Sequence, residues 1–198
     1  MLTKNIKKHN GVNLHKFFSV LFSTIIFLSF SGIANAAKGE DPVPKYVGSK
    51  LCGMCHKTEA AGKQFVIWEN SKHAQAYNTL STPEADKIAK EKCFTTKAVE
   101  TEACLKCHAS GYNAEASLLT DKFKISDGVQ CETCHGAGSE YKTKKIMEDK
   151  KLAVEKGLKL YDNIEALCVT CHNEESPSFK GFNFEEMWEK IEHSVPKK

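Results

Sequence analysis

Arginine is missing: all 28 basic residues of the 198-residue chain are lysine. Without a guanidinium fork there is no bidentate contact to phosphates or base edges, the commonest instrument of nucleic-acid recognition. Acid is missing from the first 36 residues, which hold Lys4, Lys7, Lys8 and Lys16 but no Asp or Glu. Residues 37–198 therefore carry 24 lysines against all 25 acids, and the formal charge of +3 belongs to the leader. No nucleic-acid partner is expected from a chain with that balance. The apolar run Phe17–Phe30 has 14 residues, short of the roughly 20 that a membrane span needs.

What the leader does have is a basic front, that apolar run and an Ala34-Asn35-Ala36 site. This order of features is that of a secretory signal cut after Ala36, with an uncleaved anchor as the alternative. The expected division is a signal peptide over 1–36 and one domain over 37–198, exported to the periplasm. No cysteine follows the cut directly, so no lipid attachment point is offered there and no stable membrane insertion is expected once the signal is removed.

Eight of the nine cysteines fall into four copies of one pattern: Cys52-Gly-Met-Cys55-His56, Cys104-Leu-Lys-Cys107-His108, Cys131-Glu-Thr-Cys134-His135 and Cys168-Val-Thr-Cys171-His172. C-x-x-C-H is the attachment signature of c-type haem. Two thiols three positions apart lie one helical turn apart and can bond the two vinyl groups of one porphyrin. The next residue then offers its imidazole to the iron. A thioredoxin-type disulfide needs a single C-x-x-C, and zinc ribbons want two pairs about 15–20 residues apart. Here 48, 23 and 33 residues separate successive pairs. Neither those sites nor structural disulfides call for a His after every second Cys. Four c-type haems, each with its iron, are the expected cofactors, and they would supply much of the core that a Lys- and acid-rich chain cannot build.

Distal ligands are in short supply. Outside the motifs, residues 37–198 contain only His73 and His193, so at most two irons can take two imidazoles. Oligomerisation repeats the shortage in every copy. His73 lies in a helix-compatible run, Trp68–Tyr77, with Phe65, Trp68, Ala76 and Leu80 at helical spacing. His193 follows Asn183 and Glu186, a helix start, and a stripe of Phe184, Trp188 and Ile191. Met54, Met147 and Met187 are alternative sulfur ligands, although the first sits inside a motif and the others read as helix packing. Cys93, left without a partner, reads as a buried thiol.

Between the motifs the expected fold is mainly α, helices and long loops in one domain around the haems. Ser81–Glu84 opens a helix that runs to about Cys93, with Pro83 in its first turn. Residues 139–157 are Lys-rich and helical, ending at Gly157. Asp162–Glu165 resembles a capping box, and Gly111–Gly128 reads as an extended loop or short hairpin. Gly136 and Gly138 would let backbone approach a haem closely.

The flanks carry a resemblance. Tyr46–Cys52, Trp68–Leu80, Cys107–Tyr112, Gly128–Ser139 and the stretch from Phe179 to Lys197 resemble the tetrahaem cytochrome c family of ammonia oxidisers, over nearly all of residues 37–198. The resemblance implies a compact mainly α multihaem fold with haems in stacked pairs. It also implies single-electron transfer through the periplasm from a hydroxylamine-oxidoreductase-like donor to a quinone-linked or soluble cytochrome acceptor. Three bis-histidine haems and one open iron able to meet small nitrogen oxides are implied as well. His73 and His193 match positions that supply distal imidazoles. The third such His, placed by the family pattern between the second and third motifs, is absent from Gly111–Gln130. Three functions follow as expectations: an electron carrier, a reductase of nitric oxide or a related small oxide at an open iron, and a subunit of a cytochrome filament.

Overall fold

Short helices separated by turns make up the computed structural model, which describes residues 42–196; the signal segment and its cleavage site lie outside the described residues. In chain order, α1 (Ser49–His56) carries the first motif, and α2 (Gln64–Glu69), α3 (Ala76–Leu80) and α4 (Pro83–Glu91) follow. The second motif closes α5 (Glu102–His108), and the third is itself a helix, α6 (Cys131–His135). After α7 (Lys144–Met147) and α8 (Lys150–Glu155), α9 (Ile164–Cys168) runs into the fourth motif, and α10 (Phe184–Trp188) precedes His193. Amides of Cys171 and His172 bond the Cys168 carbonyl at 3.2 and 2.9 Å, completing a last turn there. Every C-x-x-C pair thus sits on a single turn, the local geometry that its spacing demands. No helix among the described residues is long and apolar enough to cross a membrane.

Helix starts follow local chemistry. Thr82 Oγ1 accepts the Ala85 amide at 3.2 Å with Pro83 in the first turn, and Asn183 Oδ1 accepts that of Glu186 at 3.0 Å. The expected box at Asp162 is shifted by one: Asn163 caps α9 by accepting the Ala166 amide at 3.2 Å. Gly157 ends the Lys-rich region with φ +103°, which favours glycine.

One expectation changes. The run around His73 is not one helix. The Val66 carbonyl still takes the Asn70 amide at 3.2 Å, but that of Trp68, which a continuing helix would give to the Lys72 amide, takes the Ser71 amide and Oγ at 2.9 and 2.6 Å. His73 therefore lies in a turn between α2 and α3. Of the two readings of Gly111–Gly128, the loop holds and the hairpin does not. The segment has two 3-10 turns, Ala116–Leu118 and Ile125–Asp127, and forms a parallel bridge from Leu119 to Tyr46. Its backbone bonds the segment ahead of the first motif instead of itself: Tyr46 N–H to Leu118 O at 2.8 Å and Thr120 N–H to Tyr46 O at 3.0 Å.

The interior is unusual. Half of its ten buried apolar residues among those described are alanines, the others being Val47, Trp68, Leu80, Phe123 and Tyr141. The largest fully buried side chains are Gln130, Glu132 and Ser49, all polar. Such groups persist inside a fold only where they are hydrogen-bonded.

Candidate haem sites

The motifs come together in twos. Helix α1 packs on α6, the Cys131 amide donates to Ser49 Oγ at 3.0 Å, and Cys52 Sγ donates to the Gly48 carbonyl at 3.7 Å. The neighbouring Cys52 thiol holds that of Cys131 down, to about 7, and Cys131 in turn pushes that of Cys52 up. On the other side, Lys106 pairs with Glu175 and the Cys171 thiol reaches the Lys106 carbonyl at 4.0 Å. Burial, and then the nearby Cys171, push the Cys107 thiol up to about 11. The first motif therefore neighbours the third, and the second neighbours the fourth. None of the nine cysteines is in a disulfide.

His73 and His193 meet different motifs. The ring of His73 lies 6.0 Å from that of His172, and the ring of His193 lies 5.9 Å from that of His135. An iron held at about 2 Å by one nitrogen of each ring separates two imidazole centroids by about 6 Å, so both pairs fit a haem iron between them. The rings are held in place. Phe182 stacks on His172 at 4.8 Å and 15°, and His193 Nδ1 sits 2.9 Å from the Ile191 carbonyl. His108 Nδ1 contacts the Ala76 carbonyl at 2.9 Å. An Nδ1–H donated to a carbonyl leaves Nε2 free to bind metal. Burial lowers His73 below its ordinary range, and so does His172 beside it. His135 is lowered by burial and then by His193. Both shifts favour the neutral imidazole, the ligating form.

With those two spent, His56 and His108 have no imidazole left outside the motifs in 42–196. Of the sulfur alternatives, Met54 is 71% exposed and Met187 40% exposed, while Met147 is half-buried at the end of α7. Cys93 is exposed, not buried as expected, and its backbone is left-handed at φ +63°. The glycines after the third motif are packed closely against protein. A Cβ on Gly136 would come to 2.8 Å from the Gly157 carbonyl, and one on Gly138 to 3.2 Å from Glu132 Oε1.

What sequence reasoning missed is the polar knot around the third motif. Gln130 Oε1 accepts the Ser49 amide at 3.0 Å, and its Nε2 donates to the Lys124 carbonyl at 2.9 Å. The Gln130 amide donates to Ser110 Oγ at 2.7 Å, just past the second motif. Trp68 Nε1 donates to the Val129 carbonyl at 2.7 Å, and the Val129 amide to the His73 carbonyl at 2.9 Å. Glu132, 2% exposed, accepts three amides, from Val47, Gly138 and Gly48, at 2.8, 2.8 and 2.7 Å. The chain Val129–Glu132 thus ties the first motif, the second motif and the His73 turn to the third. Its one local signal was polarity on both sides of Cys131.

Residues 51–136 match the family described as cytochrome c554 and c-prime. The matched stretch holds the first three motifs and His73, while the fourth motif and His193 lie beyond it. No curated protein and no solved structure matches the chain. The match supports a c-type cytochrome that carries electrons on covalently bound haem iron.

Proposed function

We propose that the chain is a periplasmic tetrahaem cytochrome c, passing single electrons between redox partners. The observation that carries this reading is the two imidazole pairs, His73 with His172 and His135 with His193, each spaced for an iron. Cys52, Cys55, Cys104, Cys107, Cys131, Cys134, Cys168 and Cys171 would hold the porphyrins. His56, His108, His135 and His172 would be the proximal ligands, with His193 and His73 completing the third and fourth sites. Bound haem supplies an iron that takes up and gives back one electron. The chain favours neutral His73, His135 and His172 and holds the paired rings in place, and two imidazoles at one iron would exclude other ligands from those two sites. Neighbouring motifs, first with third and second with fourth, would bring haems close enough to share electrons.

For docking, the segment 142–159 carries seven lysines against three acids, a net charge of +4. Both its ends rest on the third motif. Tyr141 Oη donates to the Gly136 and His135 carbonyls at 2.7 and 3.1 Å, and the Lys159 amide donates to His135 at 3.0 Å. An acidic redox partner would meet this face, and a hydroxylamine-oxidoreductase-like donor or a quinone-linked or soluble cytochrome acceptor fits that role.

Electron paramagnetic resonance of the ferric holoprotein tests the reading. Four haems per chain by intact mass and two low-spin bis-imidazole signals are expected. Mass equal to bare polypeptide would end it. The second reading, reduction of nitric oxide or a related small oxide, rests on His56 and His108, which have no imidazole facing them. High-spin signals that change on adding nitric oxide would favour it, and a wholly low-spin, unresponsive spectrum would eliminate it.

A further inference from the structure

Glu132 stands between the two attachment cysteines of the third motif, buried, and all of its hydrogen bonds come from backbone amides. Amides only donate, so the cradle complements an acceptor-only group, a carboxylate anion. Among the described residues no lysine or histidine forms an ion pair with it. Tying the chain together does not require a charge here. Two residues earlier Gln130 does the same work with a neutral amide, bonding the amide of Ser49. The charge sits beside two different motifs: Glu132 follows Cys131 directly in the chain, and it accepts the amide of Gly48, whose carbonyl takes the Cys52 thiol at 3.7 Å.

Resting on the tetrahaem reading above, we propose that Glu132 is a potential-tuning residue: its buried charge lowers the reduction potentials of the haems at the first and third motifs relative to those at the second and fourth. A fixed anion stabilises the ferric state, which carries one more positive charge than the ferrous. A buried charge is weakly screened by solvent or salt, so the effect is large where an exposed carboxylate would have little. The four haems then divide into a low-potential and a high-potential pair, and the pairs coincide with the spatial ones. Electrons would rest on the second and fourth haems.

The third and fourth haems permit a clean comparison, because both have two imidazoles and axial ligation cancels. A redox titration of the wild-type holoprotein, followed by the low-spin resonances, should show the third-motif signal titrating below the fourth. Loss of one signal in His193→Gly and of the other in His73→Gly assigns them. The gap should persist from low to high salt. In Glu132→Gln two potentials should rise, the third-motif signal among them, while the fourth stays in place. Gln130→Met breaks the neighbouring tie without removing charge and should move neither. The proposal is overturned if the third-motif haem titrates above the fourth, if the gap closes in salt, or if Gln130→Met shifts the same two potentials as Glu132→Gln. The two wild-type measurements decide the matter even where Glu132→Gln does not assemble. Absence of two low-spin signals at the outset would instead remove the tetrahaem reading itself, before any potential is compared.

Discussion

At the scale of single residues, the two pairings are independent and can be broken one at a time. His73→Gly removes the ring facing His172 and keeps the backbone carbonyl that the Val129 amide uses. One of the two bis-imidazole signals should disappear and a high-spin ferric signal replace it, with millimolar imidazole restoring the original. His193→Gly should do the same to the other signal only; joint loss of both in either variant would contradict the separate pairings. Glu132 also has a structural consequence distinct from its charge. Glu132→Ala leaves three buried amides without acceptors, and breaking a buried charged group's contacts in this way costs about 3–5 kcal/mol. Chemical denaturation of the holoprotein should show a midpoint lowered accordingly, whereas loss of a surface residue would shift it by less than about 0.5 kcal/mol. The motif residues were legible in the sequence because haem attachment is a local pattern. Glu132 and Gln130 were not, because their partners at Val47–Ser49 lie more than eighty positions away and no periodicity links them.

Elements position the proposed distal ligands, and here local signals and tertiary contacts share the work. The Asn183 cap of α10 could be read directly, since Asn followed three residues later by Glu begins helices for a local reason. The helix ends at Trp188, however, and His193 reaches its partner from an irregular tail. That tail is held at Gly62, where the Ser194 carbonyl lies against the glycine and Gln64 Nε2 donates to it at 3.4 Å. Gly62 has φ +99°, so a side chain there is strained and also collides with Ser194. Gly62→Ala should therefore loosen the tail next to His193. Cyanide or imidazole should bind the third-motif iron faster in this variant than in wild type, with the fourth-motif iron unchanged. Equal binding rates at both irons would mean that the tail does not depend on this contact. The break at His73 had the opposite character: apolar spacing continued across it, while the Ser71 amide and hydroxyl took the Trp68 carbonyl at the end of α2. Spacing reports which face is buried and is blind to such local competition for carbonyls.

At the scale of the molecule, the described interior is alanine-rich with a polar knot, and charge is distributed as unevenly as the core. Segment 142–159 carries a net +4, while residues 174–192 hold six glutamates against Lys180 and Lys190, a net −4. The nearly neutral total of residues 37–198 conceals these two faces, so composition alone could not reveal a docking site. Lys145, Lys150 and Lys156 form no ion pair among the described residues, and their charge is available to a partner. Exposed charges act over a screening length of about 10 Å at 0.1 M salt, so their contribution to encounter should fade as salt rises. The reduced holoprotein mixed with hexacyanoferrate(III), an anionic oxidant, should react more slowly when Lys145, Lys150 and Lys156 are all changed to Gln. The expected loss is on the order of threefold to tenfold at low ionic strength and should vanish near 0.5 M salt. A cationic oxidant, tris(1,10-phenanthroline)cobalt(III), should be unaffected or slightly faster with the same variant. Replacing Lys87, Lys90 and Lys92 on and just beyond α4 removes as much charge from another face and should slow hexacyanoferrate much less. Equal losses from the two triple variants would mean that only net charge matters, and the lysines beside the third motif would lose their claim to the docking role.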